Sequence, residues 1–495
     1  MKYHYLLILA PLCACSPKEQ IAESLHTPAH IYPDYKNVTL PPNLAPVRFA
    51  LADSCAITSA QAIFSAGQQK IVLSQSHGGF AISPEQWTQL IQAGSEIEVR
   101  IQGKDADRWV EFDPFILHIS PDSIDSHLCY RLIEPGYEVW NEMGIYQRCL
   151  ENYEESAILT NKQTNMGCMN CHSFNQRNPQ QMLFHLRKEL GGTYVIRNGE
   201  IEKLNTKTPE TISALVYPFW HPSGRYVAFS TNDTQQVAHS TDRNRIEVFD
   251  NTSDVVVYDV EQHQIQKNPL LSADGVFETF PAFSPDGRTL YFCSADSVHV
   301  KSAYQDVHYS LCSIGFDAAA GTFSSTVDTL YNARTQGGSI SFPRISPDGR
   351  WLMFTHHGYG NFSIWHKDAD LWMIDLLQRP ESRAAYPLTA INSPDVESYH
   401  TWSSNSHWVV FSSRRDDGLY TRLYLTHVDD DGSCSKPVLL PQEDVHYYDR
   451  QMKSYNIPEL VSSSVDIPSS EIVNVAKTSS GINLKTVNRK LFVIY

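Results

Sequence analysis

Four stretches of this chain carry the same phrase at nearly even spacing, and no other feature limits its fold so strongly. Tyr217-Pro218-Phe219-Trp220 leads into His221-Pro222-Ser223-Gly224. Phe280-Pro281-Ala282-Phe283 leads into Ser284-Pro285-Asp286-Gly287, and Phe342-Pro343-Arg344-Ile345 into Ser346-Pro347-Asp348-Gly349. Tyr399-His400-Thr401-Trp402 leads into a degenerate Ser403-Ser404-Asn405-Ser406. From Trp220 the steps to Phe283, Ile345 and Trp402 are 63, 62 and 57 residues. Ser-Pro-Asp-Gly is a β-turn: proline presets φ, aspartate suits the third place and glycine closes it. An apolar run follows each turn, then a further strand such as Asp254-Val255-Val256-Val257-Tyr258-Asp259 or Asp370-Leu371-Trp372-Met373-Ile374-Asp375. Each period is one meander of about four strands, and such units repeated radially make a propeller. Five or six blades are expected. With 27 Pro, 24 Gly and 11% aromatic residues, the whole chain reads as all-β.

A second signal is Cys168-Met169-Asn170-Cys171-His172, which reads C-x-x-C-H, the pattern for covalent attachment of a c-type haem. With 10 Cys and 20 His, chance supplies such a string only about 0.008 times in a chain of this length. Cys168 and Cys171 would form thioethers, and His172 would be the proximal iron ligand. The stretch from Gln180 to Leu190 has helical spacing and ends at Gly191-Gly192, which places Met182 and His185 one turn apart as candidate distal ligands. Ordinary packing is the alternative for both. For the motif itself the alternatives are half a zinc site, a redox dithiol or a disulfide staple.

The first fifteen residues read as an address. Lys2 precedes a short apolar run, Tyr5 to Leu12, and then Leu12-Cys13-Ala14-Cys15 resembles the lipobox of bacterial lipoproteins, with Cys15 as the lipidated residue. Ser16 follows it, so an aspartate retention signal is absent and the outer membrane is the expected address. Nothing later is long and apolar enough to span a bilayer. Export makes a persistently reduced dithiol less expected and suits haem attachment. Six other cysteines permit disulfides, with Cys293 and Cys312 on successive strands the first pair to test. A formal net charge of −16 with no basic cluster disfavours nucleic acid, and no nucleic-acid partner is expected.

The chain divides by pattern into a signal peptide over 1–15, a Pro-rich tether over 16–45, a small β-sandwich over 46–150, a haem-motif connector with a small helix over 151–190, the propeller over 191–460 and a Ser-rich tail over 461–495. In the sandwich, Ile97-Glu98-Val99-Arg100-Ile101 alternates with period two. Ser83-Pro84-Glu85-Gln86-Trp87 reads as one capped helical turn. The tail has no functional reading.

The blade phrases resemble those of TolB-like propellers. The chain from about 130 to 460 is similar to a set of Gram-negative lipoproteins that join such a propeller to a C-x-x-C-H segment. The stretches that carry the likeness include Asn170-Cys171-His172-Ser173-Phe174, Phe184-His185-Leu186-Arg187, Ile364-Trp365-His366-Lys367-Asp368-Ala369-Asp370 and Ser412-Ser413-Arg414-Arg415-Asp416-Asp417-Gly418. The resemblance implies a fold and an envelope location, and no defined reaction.

Two functions follow as expectations. One is a lipid-anchored monohaem c-type cytochrome whose propeller docks a protein partner and whose haem c moves electrons. The other is a non-enzymatic binding or scaffold lipoprotein for protein or glycan, with C-x-x-C-H as a structural site. His239, His356, His357, His366 and His400 read as loop polar residues and strand-end hydrogen bonds, with a metal or ligand site as the alternative. Arg414-Arg415-Asp416-Asp417 reads as a salt-bridged turn, with anion binding as the alternative. Gly337-Gly338-Ser339-Ile340-Ser341 fails the G-x-S-x-G pattern at its last place, so a serine peptidase is rejected. No residue set supplies a reaction, and an enzyme is not expected.

Overall fold

The computed structural model describes residues 18–20, 22–52, 57–77, 79–135, 141–297 and 303–488, with the backbone alone at Cys171 and Asn488. The chain forms two compact units. One comprises Met1–Asn37, Pro46–Ile119 and Gln442–Tyr447; the other comprises Val38–Ala45, Ser120–Pro441 and Tyr448–Tyr495.

In the smaller unit, Glu96–Asp105 is the central strand. It pairs antiparallel with Ile57–Ala66 on one side and with Arg108–Asp113 and Phe115–Ile119 on the other. Those last two strands are one chain interrupted at Pro114, where proline has no N–H for the ladder. The predicted helical turn extends to a ten-residue helix, Pro84–Ala93, with Ser83 and Gln86 in a capping box. Trp87 and Leu90 are its buried residues. Phe49 gathers Phe64, Phe80 and Phe115 at ring distances of 5.4–6.0 Å, which makes an aromatic core.

The larger unit is a six-bladed propeller. Five blades are four-stranded meanders in chain order, starting at Met169–Phe174, Val216–Trp220, Val276–Phe283, Ser339–Ile345 and Glu397–Trp402 as innermost strands. The first blade is composite. Its outer strands, His127–Ile133, Gly144–Cys149 and Glu155–Thr160, come early in the chain, and its innermost strand is Ser454–Val461. The ring is therefore closed by pairing the two ends of the propeller sequence.

Each innermost strand contains the same one-residue bulge against its neighbour. The register slips between Ser341 and Arg344, between Thr279 and Ala282, between Val216 and Phe219, between Ser398 and His400, and opposite Cys129–Arg131 at residues 457–458. The bulged residues Tyr217, Phe280, Phe342 and Ile457 all have φ near +50°. Each is followed by proline, which needs no ladder hydrogen bond at the break. The aromatic-Pro phrase in the sequence is thus the code for a bulge. It aims one side chain per blade at the axis: Tyr217, Phe280, Phe342 and Tyr399 pack in turn, edge-on and then tilted, with ring centroids 4.6, 4.3 and 4.4 Å apart.

The turn after each strand forms as its sequence dictates. Gly287 N–H donates to Ser284 O (2.9 Å) and Gly349 N–H to Ser346 O (2.8 Å). The degenerate copy keeps the geometry with Ser406 at φ +68° where the others have glycine.

Several sequence boundaries move. The tether is solvated only in part: Glu23–Pro28 is an exposed strand, whereas Tyr35, Val38 and Leu40 are fully buried. Residues 127–160 belong to the propeller, because their alternating apolar side chains pack against the second blade, as Ile145 and Leu159 do against Met182 and Phe184. The connector is split: Glu155–Thr160 is the outermost strand of the first blade, and from Met169 on it is the start of the second. Its expected helix is the strand Gln181–Leu186 followed by one 3-10 turn, Lys188–Leu190, because burial of Met182, Leu183, Phe184 and Leu186 on both sheet faces overrides local spacing. As far as Asn488 the tail carries regular structure, with a helix Ser469–Thr478 and the strands Ile482–Asn483 and Lys485–Asn488 added parallel to the outer edges of the second and third blades. Among the described residues no helix is long and apolar enough to cross a membrane.

Candidate functional site

The propeller axis opens at the turn face into a cavity of about 460 Å³ lined by residues from all six blades. The strand ends beyond the bulges build it. Two positions after the bulge come Ser173, Phe219, Arg344, Thr401 and Glu459, and Phe174, Trp220, Phe283, Ile345, Trp402 and Leu460 flank them. The indoles tie neighbouring blades together: Trp220 Nε1 donates to Ser173 O and Trp402 Nε1 to Arg344 O, each at 3.3 Å.

Three charged side chains face this mouth. Arg177 donates from Nε to Trp402 O (2.8 Å). Arg344 donates to Pro343 O (2.8 Å) and lies over the Phe219 ring at 5.1 Å. Glu459 accepts from the Phe174 N–H (2.9 Å). Burial pushes the Glu459 carboxyl up to about 7, although Arg344 and Arg177 pull it the other way. Burial likewise pushes both guanidinium groups down. Among the described residues no ion pair within 4.0 Å joins either arginine to Glu459. The mouth therefore holds two hydrogen-bonding guanidinium groups and one carboxyl of raised pKa, beside aromatic lining residues.

The far end of the channel is filled. The second and third strands of the third blade, Tyr226–Ala238 and Ile246–Asp259, run on as a long hairpin. From it Glu247 meets His366 Nε2 at 2.8 Å and the Tyr359 hydroxyl at 2.6 Å. Asp250 accepts from Asn361 (2.6 Å), Asn232 (3.0 Å) and the Tyr309 hydroxyl (3.3 Å), and burial raises its carboxyl to about 6. The propeller histidines do structural work around this plug. His357 bonds Ser341 (3.3 Å), His356 bonds Tyr331 (3.2 Å) and stacks on Trp372, and His400 bonds Met353 O (3.1 Å). His239 bonds Arg245 O through its backbone N–H. Arg415 pairs with Glu397 (2.9 Å), and Arg414 lies 3.2 Å above the Trp365 ring and donates from Nε to Thr421 Oγ1 (3.1 Å), while its buried Nη1 has no hydrogen-bond partner.

The C-x-x-C-H residues lie in the innermost strand of the second blade. The register slips between Asn170 and Ser173, so Cys171 and His172 occupy the bulge. They take the places of Tyr217-Pro218, Phe280-Pro281 and Phe342-Pro343 in the blades that follow. Cys168 is buried as a free thiol in the cluster between the first and second blades, together with Met182. His172 is 1% exposed, and neither ring nitrogen has a hydrogen-bond partner. The backbone of Cys129 and Ile457 lies beside the ring, and burial with the nearby charge of Arg131 holds its imidazole down at about 3. His185 sits on the other side of the sheet, with Nδ1 on Thr193 Oγ1 (2.8 Å) and its ring near Phe229 of the third blade. Strand alternation separates them: Met182 shares the face of His172, and His185 does not. The register sets Met182 opposite Phe174 and Cys168 level with Arg187, so these two share a cluster without meeting, and His185 lies on the other face.

These residues do not fit a haem in this fold. An iron ligand needs a porphyrin face against the imidazole edge. That space is taken by the first blade, through the backbone of Cys129 and Ile457 and the side chain of Arg131, which donates to Met169 O (3.0 Å). Cys293 and Cys312 are also free. Phe292, not Cys293, is opposite Cys312, so the two thiols point to opposite faces of one sheet. Cys15 lies outside the described residues.

Arg177, Arg344 and Glu459 were not singled out by motif reasoning. The available signal was the repeat alignment: Arg344 and Glu459 fill a column that holds Phe219 and Ala282 in other blades, and a charge in an axis-facing column marks the channel.

No family model matches the chain, and no curated protein does. Among solved structures it is similar to one described as a dipeptidyl aminopeptidase IV candidate from Bacteroides ovatus, at 12% identity and a TM-score of 0.25, over 65% of this chain and 60% of that one. The match thus spans less than two thirds of that protein. So loose a superposition carries no argument, and the propeller rests on the strand pairing described above. In this chain Ser339 is buried, and its hydroxyl accepts the Tyr309 N–H (2.9 Å).

Proposed function

We propose that the protein is a non-enzymatic propeller binding protein that captures a carboxylate-bearing segment of a partner protein at the mouth of its axial channel. The observation that supports this is the mouth itself: six blades converge on Arg177, Arg344 and Glu459, and among the described residues neither guanidinium group has a carboxylate within 4.0 Å. Arginine suits a carboxylate because its planar fork donates two parallel hydrogen bonds. Phe219, Trp220 and Trp402 give an adjoining apolar side chain a surface to pack on. A lipid at Cys15, expected from the N-terminal pattern, would hold the propeller at the outer membrane.

The test uses the full chain and a short peptide ending in Phe-Phe, as the free acid and as the C-terminal amide. Quenching of tryptophan fluorescence should report saturable binding of the acid and at least ten-fold weaker binding of the amide. Arg344→Gln should weaken the acid to the level of the amide. Equal binding of acid and amide, or no effect of Arg344→Gln, would overturn the reading. The cytochrome reading is tested beside it, by expression with a c-haem maturation system and haem staining of a denaturing gel. The binding reading expects no covalent haem, and a stained band at the chain's mass would restore electron transfer.

A further inference from the structure

We propose that Asp122, His407 and His427 bind one divalent transition-metal ion of the zinc class, which ties the segment leading into the first blade to the sixth blade. The three residues each offer one ligand atom, and these atoms lie within 4.8 Å of one another. His427 Nε2 is 2.9 Å from Asp122 Oδ2. Two imidazoles and one carboxylate are the donor set of an open zinc site, in which a water completes a tetrahedron.

What distinguishes this cluster from a surface ion pair is its second layer. A ligating imidazole is held by an acceptor on its other nitrogen, which fixes the ring and leaves one lone pair for the metal. Both histidines are held in this way. His407 Nδ1 is 3.0 Å from Val428 O, and His427 Nδ1 is 3.2 Å from Asp429 Oδ1. Each ring thus keeps Nε2 as its available ligand atom. The rings are nearly parallel, with centroids 5.7 Å apart, and Trp408 packs edge-on against His427 at 4.9 Å. A simple Asp122–His427 pair would not require His407 to be oriented as well. The position between His427 Nε2 and Asp122 is one that a proton or a metal ion can hold.

The local backbone is ready for such a tie. Trp408 Nε1 donates to Asp122 O (2.8 Å), Ser404 N–H to Asp125 Oδ2 (2.8 Å) and Asn405 Nδ2 to Ser123 O (2.7 Å). These bonds already seat residues 122–125 on the turn of the sixth blade. Ligand atoms in a tetrahedral zinc site are about 3.3 Å apart, so only a small contraction is needed. His407 and Asp122 are part-exposed, which gives the ion a route in.

The test is a titration of the chelator-treated full chain with Zn²⁺ by calorimetry and with Co²⁺ by visible absorption. One equivalent should bind and raise the unfolding temperature. His407→Ala and Asp122→Asn should each weaken binding at least a hundred-fold, and Asp429→Asn ten- to a hundred-fold. Equal stoichiometry and affinity in the parent and in His407→Ala, or no saturable binding, would overturn the site. If a variant does not fold, the Co²⁺ spectrum of the parent decides: tetrahedral bands from nitrogen and oxygen ligands support the site, and a thiolate charge-transfer band assigns the ion to cysteine and overturns it.

Discussion

His172 and His400 stand at one structural position in two different blades. Each follows the bulged residue of an innermost strand, where the other four blades carry Pro218, Pro281, Pro343 and Pro458. Each ring turns back onto the second strand of the preceding blade. His400 reaches Met353 O, and His172 lies against the backbone of Cys129, which holds the matching place opposite Glu459 as Met353 does opposite Arg344. Burial pushes both imidazoles down to about 3. A histidine at this place is therefore a blade-to-blade contact, with or without cysteines before it.

His172 should accordingly tolerate proline. His172→Pro is expected to retain cooperative unfolding, with a loss of about 1–3 kcal/mol from the missing imidazole. Ser173→Pro, one residue on and paired with Leu183, should cost about 3 kcal/mol or more because it interrupts the ladder. Urea denaturation of the two variants compares them directly. A His172→Pro chain less stable than Ser173→Pro would contradict the equivalence.

Glu459 sets a pH dependence. Its carboxyl is raised to about 7 when folded, from an ordinary 4.5, so the folded state binds the proton more tightly than the unfolded one. This group's contribution is therefore full below pH 4.5 and is lost as pH rises from there through 7. Stability measured across that window should fall by about 2 kcal/mol more in the parent than in Glu459→Gln. Binding of the carboxylate peptide should weaken over the same rise, since an ionised Glu459 repels it.

The buried cysteines should be inert in the native state. Cys129, Cys168 and Cys293 are buried, and burial pushes the Cys129 and Cys293 thiols well up and Cys312 to about 11. Ellman's reagent should react with them only after unfolding, and a reductant should leave the unfolding temperature unchanged. A fall on reduction would point to a disulfide.

Closure of the ring by Ser454–Val461 makes the C-terminal region indispensable. A chain ending at Lys453 lacks the innermost strand of the first blade and leaves the edge of His127–Ile133 unpaired. It should show no cooperative thermal transition. A chain ending at Val461 keeps that strand and loses only the helix and edge strands that follow, so a transition at lower temperature is expected.

Much of this was legible in the chain. The aromatic-Pro and Ser-Pro-Asp-Gly phrases announce a propeller because bulge and turn are local: their geometry depends on a few neighbouring residues. The composite blade was not legible, since Ser454–Val461 pairs with His127–Ile133 across more than three hundred residues and has no Ser-Pro-Asp-Gly turn after it. The strand Gln181–Leu186 is buried on both faces, which erases the period-two alternation and leaves a spacing that resembles a helix.

The sequence by itself therefore determined the blades: their spacing, their turns and the bulge that aims one residue of each at the axis. Only the tertiary structure decided what those residues do. Arg177, Arg344 and Glu459 lie far apart along the chain and meet because closure brings six strand ends around one axis. The same closure encloses His172 between two blades, so that its meaning is set by the strand it lies on and the blade it faces.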